Sequence, residues 1–178
     1  LIEAMTRTDF SRTVEIPAPP ALVWLVMADV ERWPEWTPSV SRVKRLSFGP
    51  LQVGSRARIH QPKFPPAWWR VTELNPGAGF TWVSRAPGVR VVAGHRIEPA
   101  ATGCRVTLSV RYEGWFGPWL ARWTRDLNEC YLGLEANGLK ARCVALAAGP
   151  CLASSGSISP VTERGSVSRS NVRISPKS

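Results

Sequence analysis

Paired cysteine motifs, clustered histidines, long apolar runs and dense basic blocks are all missing from this chain, and each absence removes a class of function. The four cysteines, Cys104, Cys130, Cys143 and Cys151, never form a CxxC pair, and the two histidines, His60 and His95, are not spaced to join them as ligands. No zinc site or redox motif is suggested, and no metal or cofactor is expected. The longest apolar run, Ala21 to Ala28, is far short of the roughly 20 residues that span a bilayer, so stable membrane insertion is not expected. The first residues lack the basic start and cleavage pattern of a secretory signal, which makes a reduced, cytoplasmic setting the default expectation.

Basic residues are in excess but not concentrated. The formal charge is +10 over 178 residues, and the stretch 148–178 contributes Arg164, Arg169, Arg173 and Lys177 against Glu163. Nucleic-acid binders gather Lys and Arg on one element or within a recognisable module, and neither is present, so no nucleic-acid partner is expected. What the chain has in abundance is tryptophan, nine residues, whose rings must be buried or wait for a ligand.

One domain with a core of its own suits this length. Phe10, Arg12, Val14 and Ile16 alternate with Ser11, Thr13 and Glu15, the period of a half-buried strand. Pro19-Pro20 then opens a helix carrying Val23, Trp24, Val26 and Met27, and a second short helix is expected around Val30 to Trp36. Six extended runs follow: Val40–Leu46, Ser55–Gln61, Ala67–Leu74, Phe80–Arg85, Val89–Ile97 and Arg105–Tyr112. Gly and Pro clusters such as Asn75-Pro76-Gly77 and Pro87-Gly88 separate them, which predicts an antiparallel meander. A long helix from Trp115 to Arg142 would cover one face, with Phe116, Trp119, Leu120, Trp123, Leu127, Cys130 and Leu134 inward and Arg122, Arg125, Asn128 and Glu129 outward. The expected fold is α+β: a seven-stranded antiparallel sheet gripping a C-terminal helix, with two short helices after the first strand. The domain is placed at 10–147, after a short extension 1–9 and before a Ser/Gly/Pro-rich basic tail, 148–178, whose composition predicts disorder.

The N-terminal stretch Val14-Glu15-Ile16-Pro17-Ala18-Pro19, then Val23-Trp24, Asp29 and Trp33-Pro34-Glu35-Trp36, resembles the signature of the START-related SRPBCC superfamily, near its polyketide cyclase/dehydrase-like branch. Trp69-Val71, Gly79-Phe80-Thr81-Trp82 and His95-Arg96-Ile97-Glu98 agree with it. The resemblance implies a helix-grip fold with a deep apolar cavity between sheet and long helix. It also implies binding or transport of a lipid, sterol or aromatic polyketide-like molecule, or alternatively a polyketide cyclase, aromatase or dehydratase. No catalytic motif is shared by the whole superfamily, so the resemblance assigns no residue a role.

Strand parity proposes the cavity lining. If Val110 and Tyr112 face inward, so do Val91, Ala93, His95 and Ile97 on one neighbour and Phe80, Trp82 and Ser84 on the next. The candidate ligand-binding residues are Trp82, His95, Tyr112, Trp119, Trp123 and Leu127. His95 is the one candidate acid/base, able to hydrogen-bond a ligand or take a proton near neutral pH, against the plain alternative of a satisfied core histidine. The tryptophans offer flat contacts to a ligand, against the alternative that they fill space. One of Trp68 and Trp69 should face inward and the other out; Arg70, on the face of Trp68, is favoured as a solvated charge. Trp33 and Trp36 are read as packing beside the cavity mouth, Asn137 as an amide on the inner stripe, and Tyr131 as lying at the stripe's edge.

Overall fold

The computed structural model describes residues 8–149. Seven strands, β1 (Asp9–Ile16), β2 (Arg42–Arg45), β3 (Arg56–His60), β4 (Ala67–Asn75), β5 (Gly79–Ala86), β6 (Val89–Ala100) and β7 (Gly103–Glu113), form one antiparallel sheet in the order β1-β7-β6-β5-β4-β3-β2. Strands β2 to β7 follow one another as a meander through short turns, and the first strand closes against the last. Each predicted run matches a strand to within a few residues at either end. The predicted tail and Cys151 lie outside the described residues, as do residues 1–7 of the N-terminal extension.

Between β1 and β2 the chain crosses one face of the sheet through α1 (Pro20–Ala28) and a 3₁₀ turn (Val30–Glu35). Pro19 is the N-cap of α1 and a proline opens the helix, where a missing N–H costs nothing. Pro34 sits within the 3₁₀ turn, whose tighter geometry it tolerates, and the Trp33 indole donates to the Met27 carbonyl at 3.0 Å, holding the two segments together. Val23, Met27, Val30 and Trp33 are all buried against the sheet.

The C-terminal cover differs from the single helix expected over Trp115–Arg142. It is two helices, α2 (Gly117–Trp123) and α3 (Arg125–Ala148), broken at Thr124, whose φ and ψ of −99° and 11° leave the α region. The cause is polar: the Thr124 hydroxyl donates to the Leu120 carbonyl at 2.8 Å and accepts from Asn128 Nδ2 at 2.9 Å, a local bonding pattern that competes with helix continuation.

The inward face also differs from the predicted stripe. Gly117, Ala121, Thr124, Asn128 and Tyr131 are the buried residues, while Leu120 and Leu127 of the predicted stripe are half-buried and face the cavity. Asn128, expected to point outward, is 6% exposed, whereas Trp119 is 56% and Trp123 75% exposed; Cys130 and Asn137 are exposed too. Small residues allow α2 to lie close over the end of β7, where bulky rings would not fit. Ranking positions by apolar size therefore misplaced Trp119 and Cys130.

The far half of α3 is anchored through Ala136, Leu139 and Cys143, packed over β1 and α1. Gly138 permits the closest approach: a Cβ there would stand 2.0 Å from the Trp36 carbonyl oxygen. Gly138→Ala is therefore expected to push α3 off the 3₁₀ turn and destabilise the domain by about 2 kcal/mol, despite alanine's better helix propensity. Urea denaturation checks this, and a variant as stable as the parent would refute the packing argument.

Candidate functional site

Between the concave face of the sheet and the two C-terminal helices lies a cavity of about 530 Å³. The Tyr112 hydroxyl ties the last strand to the near half of α3 at the edge of this cavity. Parity sets the sheet side: Trp82 pairs with Ala93, Ser84 with Val91, and Val91 with Tyr112, so these alternate residues share the inner face. Trp69 is the inward member of its pair; Trp68, 53% exposed, and Arg70 face the opposite side of the sheet. Of the predicted site residues, Trp82, His95, Tyr112, Trp123 and Leu127 line the cavity, and Trp119 does not. Sequence reasoning placed the first three through strand parity, which survives a meander without insertions. Trp123 reaches the cavity only from its rim.

Aromatic rings build the inner end. Trp33, buried and expected only as packing beside the mouth, contacts both Trp82 and His95, with ring centroids 5.2 and 5.3 Å away. Trp69 lies 5.4 Å from Trp82, and Phe80 stacks on the His95 imidazole at 4.4 Å with planes 14° apart. Enclosure of this kind favours the neutral imidazole: burial lowers the His95 pKa to about 3, opposed only in part by its bond with the Phe80 backbone. Burial thus favours the uncharged form of His95 and works against the general-base role the sequence suggested. Its Nδ1 and the Trp69 Nε1 are buried and have no hydrogen-bond partner among the described residues.

Two polar groups on the helix side, the Asn128 amide and the Glu135 carboxyl, went unrecognised in the sequence. The Tyr112 hydroxyl donates to Asn128 Oδ1 at 3.0 Å, and Asn128 donates in turn to Thr124 Oγ1, so this corner is internally satisfied while the tyrosine oxygen can still accept a bond. About two helical turns further along α3, Glu135 faces the same cavity and accepts from Ser39 Oγ at 3.3 Å. Burial raises its pKa to about 7, with the Ser39 bond opposing the shift. Thr124, Asn128, Tyr131 and Glu135 recur at helical spacing, and this polar stripe, rather than the tryptophans, was the signal for the inner face.

The remaining wall is the β3–β4 loop. Tyr131, expected at the edge, lines the cavity; its hydroxyl donates to the Pro62 carbonyl and its ring meets Phe64 at 5.8 Å, fastening the proline-rich loop to α3. Lys63, at φ 64°, stands at this rim in a left-handed conformation uncommon for a side-chain-bearing residue. Among the described residues no group of three or more His, Cys, Asp or Glu is placed to hold a metal ion, and no helix is long and apolar enough to cross a membrane.

The two displaced titrations act in opposite directions on stability. His95 binds a proton when unfolded below its ordinary 6.5 but resists one when folded until about 3, so it destabilises the fold as pH falls through 6.5. Glu135 takes up its proton at about 7 when folded and only at about 4.5 when unfolded, so it destabilises the fold as pH rises from 4.5 to 7. Glu135→Gln removes the second contribution and should make stability climb with pH between 4.5 and 6.5 more steeply than in the parent, by up to about 1.4 kcal/mol per pH unit. Parallel profiles for parent and variant in a urea-denaturation pH series would show that Glu135 titrates normally.

A family model described as polyketide cyclase/dehydrase and lipid transport matches residues 7–142. No curated relative matches the chain. Among solved structures, the Zhui aromatase/cyclase from Streptomyces sp. R1128 is 22% identical, with a TM-score of 0.64 over 79% of this chain and 97% of that one. TTHA0849 from Thermus thermophilus is 21% identical, with a TM-score of 0.61 over 79% and 98%. Ara h 8.0201 is 12% identical, with a TM-score of 0.61 over 77% and 97%. Similarity at this level establishes a common fold and nothing finer.

Proposed function

The chain belongs to the polyketide cyclase/dehydrase and lipid transport family, and we propose that within it this protein binds, and carries, a small hydrophobic molecule of lipid, sterol or aromatic polyketide type. The observation that supports this reading is the cavity of about 530 Å³, walled by Trp33, Trp69, Trp82, Val91, Ala93 and Leu127. Space of that size between apolar side chains loses dispersion contacts unless something fills it, and the rings offer flat surfaces to a fused-ring or isoprenoid ligand.

The polar groups refine the ligand class. Asn128, which binds the Tyr112 hydroxyl, and Glu135 are separated by about 10 Å along α3. A ligand with a hydroxyl or carbonyl near each end would meet both, with the aromatic carbon around His95 between them. At neutral pH the protonated share of Glu135 can donate to a ligand oxygen without burying a charge.

A second reading, ring closure or dehydration of a polyketide-like substrate, draws support from one observation: a carboxyl poised near pH 7 in an apolar cavity has the tuning expected of a general acid or base. In that reading Glu135 is the proton carrier and the neutral His95 a hydrogen-bonding partner. The structurally similar Zhui protein is named an aromatase/cyclase, which makes this chemistry the natural alternative.

Ala93 lies at the centre of the inner face and is 6% exposed, so Ala93→Phe would occupy the cavity with a side chain. The parent is expected to bind 1-anilinonaphthalene-8-sulfonate with enhanced emission, and the variant to bind it at least about tenfold more weakly while remaining folded. Equal binding by the two proteins would sink the cavity reading. Native mass spectrometry of the freshly purified chain, with denaturing extraction, would then name what the cavity retains.

A further inference from the structure

The outer side of α2 and the link before it carry an aromatic feature that touches the cavity only through Trp123. Trp115, Trp119 and Trp123 are 84%, 56% and 75% exposed, although rings of this size are the side chains a folded chain gains most from covering. With Phe116 they form a continuous ladder: Trp115 to Phe116 at 5.7 Å, Phe116 to Trp119 at 4.6 Å, and Trp119 to Trp123 at 5.7 Å with planes 25° apart.

The ladder is fixed in place. Gly88, in the β5–β6 turn at φ 77°, accepts the Phe116 N–H at 3.0 Å, and a Cβ on it would fall 2.6 Å from the Trp115 ring. The rings are thus seated on a hairpin turn as a raised ridge. Their position adjoins the opening of the cavity, because Leu120 and Trp123 of the same helix belong to its lining. Arg122 stands between Trp119 and Trp123, and Lys63 occupies the opposite rim beside Phe64; neither joins an ion pair among the described residues. Arg125 is engaged by Glu129 at 4.0 Å, and Asp126 is the exposed carboxylate that follows. The whole chain carries +10.

We propose that the ridge of Trp115, in the link after β7, with Trp119 and Trp123 of α2, docks the protein onto an anionic phospholipid surface, with the cavity mouth turned towards the lipid. Indole rings combine an apolar body with one N–H donor and settle at the headgroup boundary, where flanking cations are attracted to anionic lipids. A headgroup layer yields around a ridge, whereas a protein partner would need a cleft shaped to it. The overall positive charge brings the molecule to such a surface. The mouth's orientation rests on the hydrophobic-ligand reading, since transfer through the mouth at the bilayer spares an apolar ligand a passage through water; docking itself does not depend on it.

Co-sedimentation of the full chain with phosphatidylcholine vesicles containing about 30 mol % phosphatidylserine, at an ionic strength of about 0.1 M, tests the docking. The parent should sediment with these vesicles, less with pure phosphatidylcholine, and its tryptophan emission should shift to the blue. Trp115→Ser with Trp119→Ser should lower partitioning by about tenfold or more, and Arg122→Glu by about threefold. Binding of 1-anilinonaphthalene-8-sulfonate without vesicles should survive in the double variant, since neither ring lines the cavity. A parent that does not bind anionic vesicles overturns the proposal and leaves an acidic protein as the ridge's occupant. A double variant that sediments like the parent overturns it as well and assigns binding to charges elsewhere. A parent that docks yet fails to bind the dye would remove the cavity reading and leave the docking intact.

Discussion

The hydrogen bonds among Tyr112, Thr124 and Asn128 are the constraint on which the cavity depends. They join the last strand to the point where the C-terminal cover breaks, and they do so with side chains that an ordinary core would replace by leucine. Since each buried polar group must find a partner, the break, the tyrosine and the asparagine have to be kept together. The far half of α3 packs tightly through Leu139, Cys143 and the backbone contact at Gly138, while the near half stands off behind this polar prop. One helix thereby serves as core at one end and as roof at the other.

The interior divides its polar work between two sides of the cavity. On the sheet side, rings crowd His95 so closely that it stays neutral, and what it offers is a lone pair or a proton in a fixed direction. On the helix side, Glu135 holds its proton into the neutral range because few groups besides the Ser39 hydroxyl stabilise its charge. Both shifts arise from desolvation: the base becomes weaker and the acid becomes weaker, each towards its neutral form. An apolar guest with a few oxygens is the kind of molecule such an environment accepts.

Much of this was legible in the residues. Seven strands and their turns could be read from alternation and from Pro-Gly punctuation, because those signals are local, and the parity of Tyr112 carried the inner face across to His95 and Trp82. The helices were less legible. Where Trp119 and Trp123 suggested an inner stripe, the fold placed Ala121 and Thr124, since the approach to β7 rewards small side chains and the roof rewards polar ones. Periodicity defines a face but not which face is covered, and exposed tryptophans mislead any reading that equates bulk with burial. Glu135 escaped for the same reason: a carboxylate on a long helix is ordinarily a solvated charge, and only the company of Thr124, Asn128 and Tyr131 marks it otherwise.

The pairing of the first strand with the last has a consequence for how the chain reaches this state. Asp9 lies opposite Arg111 and Ile16 opposite Cys104, so the β1 edge joins residues separated by almost the whole domain. Strands β2 to β7 can zip in order through short turns, but β1 must wait, with Phe10 and Ile16 uncovered, until β7 exists. Contacts this distant in sequence slow folding, because chain entropy is lost before the contacts return anything. During synthesis the amino-terminal strand would be the oldest part of the domain and among the last to find its place, and that interval is when the nascent chain is most open to mispairing with a neighbour.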